Sequence, residues 1–158
     1  MIVVNLQERP YIVHNEKEIK GFFGPYRFLS NFHQCPVYFD GVMYPSTENA
    51  FMAAKTVDPL QREQFRYIEP KEAKVLGRKI KLREDWEAVK YDVMATVCFD
   101  KFYRNKGIRE KLLETGNAYL EETNHWNDMI WGCNENGEGQ NHLGKILTNI
   151  RTFWQNQK

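Results

Sequence analysis

Residues 84–105, EDWEAVKYDVMATVCFDKFYRN, form the longest helical pattern in the chain. Trp86, Val89, Val93, Met94, Val97 and Lys101 fall on one face at spacings of three and four, the period of an α-helix. A helix carrying so long an apolar stripe must bury it against other elements. The stripe therefore reads as core. Lys101 is the odd member: a lysine there either snorkels or pairs in a pocket.

The remaining patterns run strands first. IVVNL (2–6) and YIVHN (11–15) are rich in Ile, Val and Tyr and read as short strands. KGFFGPYRFLSNF reads as a loop punctuated by Gly21, Gly24 and Pro25 and anchored by aromatics. CPVYF-DG-VMYP reads as a hairpin, with Asp40-Gly41 suited to a type I′ turn. Ser46 is placed to cap a helix over STENAFMAAK. Asp58-Pro59 and Pro70 open two shorter helices, the second stopping at Gly77. Beyond the long helix, GIREKLLET ends at Gly116, AYLEET reads as strand, and HWNDMIWGCNENGEGQN is a long polar, glycine-rich loop. HLGKILTNIRTFW closes the chain as a helix with Leu143, Ile146, Leu147, Ile150 and Phe153 on one face.

This order favours an α+β fold over a βαβ sheet. With 158 residues, no repeat and no linker, the expectation is a single mostly helical domain over residues 1–158 with a small N-terminal antiparallel sheet.

Composition narrows the function classes. A formal net charge of +1 gives no bulk attraction to nucleic acid or anionic membrane, though a local basic patch is left open. No window approaches a membrane span, and MIVVNLQERP lacks the basic start of a signal peptide. Cys35, Cys98 and Cys133 are odd in number and widely spaced, which points to a reducing, cytoplasmic setting. His14, His33, His125 and His142 are scattered without zinc spacing, so no metal site is expected. No G-x-S-x-G elbow is present either.

Three segments invite chemistry. Glu48 falls at the second position of the helix capped by Ser46, where the helix dipole favours an ionised carboxylate. Lys55 lies seven residues on, two turns along the same face. The plain alternative is a cap-proximal acid and a solvated lysine. Asp128 sits in W-N-D-M-I-W-G, where Trp126 and Trp131 either wall a pocket around the acid or anchor the loop to the core. In G-C-N-E-N-G-E-G-Q-N, Gly132, Gly137 and Gly139 permit close backbone approach to a ligand. Asn141 or His142 would then cap the following helix, whose free amides favour phosphate. The alternative is a flexible glycine loop. Arg27 can fork onto an anion, and Ser30 and Asn31 can orient sugar hydroxyls, unless the segment is only a turn pinned by Phe28 and Phe32. Trp86 reads as core.

Taken in order, F-L-S-N-F (28–32), Y-P-S-T-E-N-A-F-M-A-A-K (44–55), G-R with W-E-A-V-K (77–90), and W-G-C-N-E-N-G-E-G-Q-N-H-L-G-K-I-L (131–147) with Ile150-Arg151 resemble the YbiA-like, or NADAR, family. The resemblance covers nearly the whole chain from Gly24 onward. It implies an α+β fold and an N-glycosidase acting on ribosylated compounds. Relatives are described as hydrolysing phosphoribosylamino pyrimidine intermediates of riboflavin biosynthesis, and others as removing ADP-ribose from guanine in nucleic acid. Carried over by motif, the family's glutamate falls on Glu48, its lysine on Lys55, its tryptophan on Trp86 and its D-x-x-W-G on Asp128 and Trp131. Its loop asparagine falls on Asn141 and its terminal arginine on Arg151. The chain departs from the pattern at Asn49, where histidine is common, and at Cys133-Asn134.

The expected mechanism has Glu48 stabilising an oxocarbenium-like sugar and Asp128 activating water or shuttling a proton. Trp131 and Trp86 would stack on or wall the base, Asn31 and Asn141 would hold hydroxyls with Ser30 orienting them, and Gly132 would let the backbone approach the substrate. Arg27, Lys101 or Arg151 would hold phosphate. Lys55, if desolvated, could instead attack C1′ and form a Schiff base. Neither scheme calls for a cofactor. The expected partner is a small ribosyl or ADP-ribosyl substrate, with ADP-ribosylated DNA as a second option and no membrane. The competing class is a non-catalytic ADP-ribose or nucleotide-binding module.

Overall fold

The computed structural model describes residues 11–157. In chain order its elements are β1 (Val13–His14), β2 (Glu18–Lys20), a 3-10 helix (Gly24–Leu29), β3 (Gln34–Phe39), β4 (Val42–Ser46), α1 (Thr47–Ala53), α2 (Pro59–Glu63), α3 (Pro70–Gly77), α4 (Trp86–Arg104), α5 (Lys106–Glu114), β5 (Tyr119–Glu121) and α6 (His142–Gln155). The fold is α+β. The strand expected over IVVNL lies outside the described residues. Among those described, no helix is long and apolar enough to cross a membrane.

The chain forms two compact units. The first combines the segment ending at Ser30 with the segment from Gly107 onward; the second is Asn31–Lys106.

In the first unit, β1 pairs antiparallel with β2, and β2 pairs parallel with β5 in the register Ile19 to Leu120. The sheet is thus mixed, because AYLEET returns from far along the sequence to add a parallel strand. Segment 24–29, read as loop from its glycines and proline, winds into a 3-10 helix with Pro25 in its first turn. A proline there gives up an amide that would have no partner anyway. Phe28 and Leu29 are buried by it. Gly144 of α6 lies so close to β5 that a Cβ would come within 2.2 Å of the Leu120 carbonyl. Leu143, Leu147 and Ile150 complete this core. Phe153, expected on the same stripe, is exposed, with its ring edge-on to Trp154.

In the second unit, β3 and β4 form the expected hairpin, with Tyr38 opposite Met43 and Phe39 opposite Val42. Asp40 (φ 48°) and Gly41 (φ 86°) are both left-handed, as a type I′ turn requires. The register shifts between Gln34 and Val37, around Pro36, which cannot donate to the ladder. α1 starts straight from β4 and packs on α3 and α4. α4 buries Trp86, Val93, Met94, Val97, Cys98, Lys101 and Phe102. Each large apolar member contributes about 1.5–3 kcal/mol on transfer from water.

Candidate active site

The second unit holds the Glu48 group. Ser46 is fully extended, and its hydroxyl accepts from the Asn49 amide at 3.0 Å, capping α1. Glu48 takes the second helical position and is buried. Its backbone N–H donates to the Asn31 carbonyl at 3.0 Å. Asn31 is held in turn by α4: its amide nitrogen reaches Met94 Sδ at 3.4 Å, and its side-chain oxygen accepts from the Cys98 thiol at 3.8 Å. Asn49, which stands where relatives were expected to carry histidine, donates from one amide nitrogen to the Phe65 and Ile68 carbonyls, each at 2.8 Å. It ties the start of α1 to the segment after α2.

Lys55 lies just past α1, because the helix ends at Ala53 and a turn carries the chain on. Its side chain is half-buried. Burial lowers its pKa from the ordinary 10.5, the Glu48 carboxylate pulls it back up, and Arg78 pushes it down. Glu48 and Lys55 therefore sense one another. Trp86 is buried, its ring 5.1 Å from that of Phe51 on α1. It acts as a wall of the α1–α4 core. Lys101 does not snorkel: only 1% of it is exposed. Its charge lies near enough to Cys98 and Cys35 to oppose the burial that raises both thiols, Cys98 to about 12.

A cavity of about 470 Å³ also lies in this unit, bounded by Gln34, Cys35, Met43, Tyr44, Arg66 and Tyr67 among others. None of the residues expected to act on or bind substrate lines it. Among the described residues no three His, Cys, Asp or Glu side chains gather as a metal site.

The first unit holds the Asp128 group. Asn124 clamps the Asp128 backbone on both sides: its oxygen accepts from the Asp128 amide and its nitrogen donates to the Asp128 carbonyl, both at 2.9 Å. One carboxylate oxygen of Asp128 accepts from the Ile130 and Trp131 amides at 3.2 and 3.0 Å. The acid is half-buried and its orientation is fixed by backbone. The two tryptophans divide: Trp131 is half-buried with its ring edge-on to His142, whereas Trp126 is 44% exposed and packs edge-on to His125. Arg27 is exposed on the 3-10 helix, and its carbonyl accepts from the amide of half-buried Ser30 at 2.9 Å.

Three residues expected to meet the sugar or phosphate have internal partners. Gly132 is buried where a Cβ would stand 2.0 Å from the Glu122 carbonyl, so its close approach is to the protein's own backbone. Asn141 occupies the cap position of α6 in a left-handed conformation, but its side chain does not cap the helix. It donates to the Leu120 carbonyl at 2.9 Å and accepts from the Glu122 amide at 3.1 Å. The amides of Asn141, His142 and Leu143 are taken by the carbonyls of Gly132, Ile130 and Trp131. These are the groups that were expected to face a phosphate. Arg151 is buried and donates to the Thr115 hydroxyl at 2.9 Å, at the carbonyl end of α5 where a cation is favoured. Burial lowers its pKa.

The sequence reading missed Asn124 and Glu121. Glu121 is buried and accepts from Tyr119 Oη at 3.0 Å and Thr123 Oγ1 at 2.5 Å. Burial of the Tyr119 hydroxyl and this carboxylate raise Tyr119 to about 12. Strand alternation puts Glu121 on the face of exposed Tyr119 and opposite buried Leu120, so the local pattern carried no signal for its burial.

The NADAR domain model matches residues 14–154. N-glycosidase YbiA of Shigella boydii is 38% identical over 129 residues, covering 80% of each chain. A riboflavin biosynthesis protein of Vibrio vulnificus is 33% identical over 150 residues, covering 93% of this chain but only 39% of the relative. The NMR structure of the E. coli protein YbiA superposes with a TM-score of 0.79 at 34% identity, over 93% of this chain and 90% of that one. On these matches, the chain belongs to the NADAR domain family.

Proposed function

We propose that this chain is an N-glycosyl hydrolase that cleaves the C1′–N bond of a ribosylated small molecule, with the phosphoribosylamino pyrimidines of riboflavin biosynthesis as the leading substrates. One observation carries the reading: a buried carboxylate, Glu48, sits in electrostatic contact with a half-buried lysine, Lys55, whose charge burial disfavours. A carboxylate in such a place stabilises positive charge developing at the sugar C1′. A desolvated lysine has a larger neutral fraction near neutral pH, as a nucleophile needs. In the second route the Lys55 amine bonds to C1′, the C1′–N bond to the base breaks, and the departing base takes the proton that the amine gives up. The C1′–O4′ bond of the resulting glycosylamine then opens, O4′ taking the remaining N–H proton, to give a Schiff base that water hydrolyses to free the sugar and Lys55. The role carried over to Asp128, activation of water, stands or falls separately on Asp128→Asn. We place the reaction in the cytoplasm, in keeping with three free cysteines. The alternative substrate is ADP-ribosyl guanine in DNA or nucleotides.

The deciding experiment incubates the protein and Glu48→Gln with the phosphoribosylamino pyrimidine and, in parallel, with DNA carrying ADP-ribosyl guanine. Mass spectrometry follows the freed base and sugar. Release by the parent protein and a loss of roughly 10²-fold in the variant is expected. Equal rates in both proteins, or ADP-ribose binding without release from either substrate, would sink the glycosidase reading and leave a binding module.

A further inference from the structure

Two polar groups in the wall of the cavity of about 470 Å³ have no protein partner. The cavity lies wholly within the second unit. Tyr44 is 1% exposed, and its hydroxyl is buried without a hydrogen-bond partner among the described residues. The same holds for Nε of half-buried Arg66. The two groups are neighbours: burial raises the Tyr44 pKa, and the Arg62 and Arg66 charges oppose it. The phenol keeps its proton at neutral pH, so both groups are donors. A buried donor without an acceptor is destabilising. Two of them side by side in one cavity wall call for an acceptor.

The rest of the wall sets the size and polarity of that acceptor. Pro36, Met43, Pro45 and Tyr67 supply apolar surface, and the prolines and the tyrosine ring present flat faces. The volume is that of a small-molecule site. Charge in the wall is already balanced. Arg66 Nη1 donates to both carboxylate oxygens of Glu63, at 2.9 and 3.2 Å, and Arg62 donates to Asp40 at 2.6 Å. An added anion would stand uncompensated beside apolar surface. An uncharged carbonyl oxygen has two lone pairs and satisfies both donors without that cost. We infer that this cavity is a second ligand site, which takes an uncharged ring compound whose carbonyl oxygen accepts from Tyr44 Oη and Arg66 Nε. The inference does not rest on the glycosidase reading, since no residue placed in that reaction lines the cavity.

The test is NMR titration of the whole protein with three probes: acetophenone, which has a ring and a neutral carbonyl; toluene, which lacks the acceptor; and benzoate, which carries a charge. Acetophenone is expected to bind with a Kd on the order of millimolar, as suits so small a compound, and more tightly than the other two. Half-exposed Cys35 lines the same cavity and reports on its occupancy. Saturating acetophenone should slow alkylation of Cys35 by iodoacetamide. Tyr44→Phe removes one donor and should weaken acetophenone by roughly tenfold while toluene is unchanged. Its denaturation midpoint should stand at or above that of the parent protein, because the hydroxyl lost has no partner to give up. A hydroxyl with a structural role would lower the midpoint instead, which contradicts the inference. Arg66→Lys, which keeps a cation beside Glu63 but loses Nε, is the second variant and should also weaken acetophenone. No binding of acetophenone at about 10 mM, or toluene or benzoate binding as tightly as acetophenone, overturns the inference. Glu48→Gln should keep full acetophenone binding, so binding in a protein that releases no base counts against the glycosidase reading alone.

Discussion

The Asn31 carbonyl accepts the Glu48 amide at 3.0 Å, which fixes the start of α1 through its backbone. Glu48→Gln keeps this bond and the side-chain shape. Its chemical denaturation midpoint should therefore correspond to a stability within about 1 kcal/mol of the parent, while turnover falls by roughly 10²-fold. A parallel collapse of stability would mean that Glu48 is structural.

Lys55 should titrate below 10.5, since burial is the largest influence on it and Glu48 only partly opposes that. Removing the carboxylate with Glu48→Gln should lower it further. The sign for stability follows. Between the folded pKa and 10.5 the unfolded chain holds the proton that the folded one has lost, so this group makes stability rise with pH across that window. At lower pH both states are protonated and the full cost of burying the charge stands. NMR titration of the Lys55 side chain in both proteins checks the order; a Lys55 that titrates higher in Glu48→Gln contradicts it.

Asn49 gives one buried amide group to two carbonyls, those of Phe65 and Ile68. Asn49→Ala strands both and should cost about 1–3 kcal/mol for each acceptor left without a donor. Urea denaturation measures it, and a neutral result would mean that water enters the vacated space.

Gly132→Ala should destabilise by about 1–3 kcal/mol or more, the range for overpacking. The new methyl would meet the Glu122 carbonyl at 2.0 Å, and backbone cannot rotate out of the way as a side chain can. A midpoint equal to that of the parent protein would show that the 122–132 segment gives way easily.

The three thiols should label in a fixed order. Cys98 and Cys133 are buried and raised to about 12 and about 11, burial being the first cause in each. Cys35 is raised too, but half-exposed. A maleimide or iodoacetamide time course at neutral pH should modify Cys35 first, with the other two reacting only on unfolding. Early modification of Cys98 would contradict this burial.

Much of this structure could be read from local pattern. The Asp40-Gly41 turn, the Ser46 cap, the Pro70 start and the long α4 stripe each depend on residues within a few positions of one another, and each appears where expected. What pattern could not supply was the distant partner. The parallel seat of β5 beside β2 depends on residues far apart in sequence. The same holds for the site. Glu48 at the second position of α1 follows from the Ser46 cap, whereas the commitments of Asn141 to Leu120 and Glu122 depend on tertiary contacts. Glycines near Gly132 suggested ligand approach, yet a close approach looks the same in sequence whether the neighbour is a ligand or the Glu122 carbonyl.

The parallel pairing of Ile19 with Leu120 has a kinetic consequence. The two strands are roughly a hundred residues apart, and closing a loop that long is slow compared with forming a hairpin or a helix pair. Everything from Asn31 to Lys106 lies between them as one uninterrupted stretch. On a ribosome that stretch can organise as it emerges, while β2 must wait with an unsatisfied edge until Tyr119 to Glu121 have been synthesised. The part of the protein with the earliest residues is thus the part completed last.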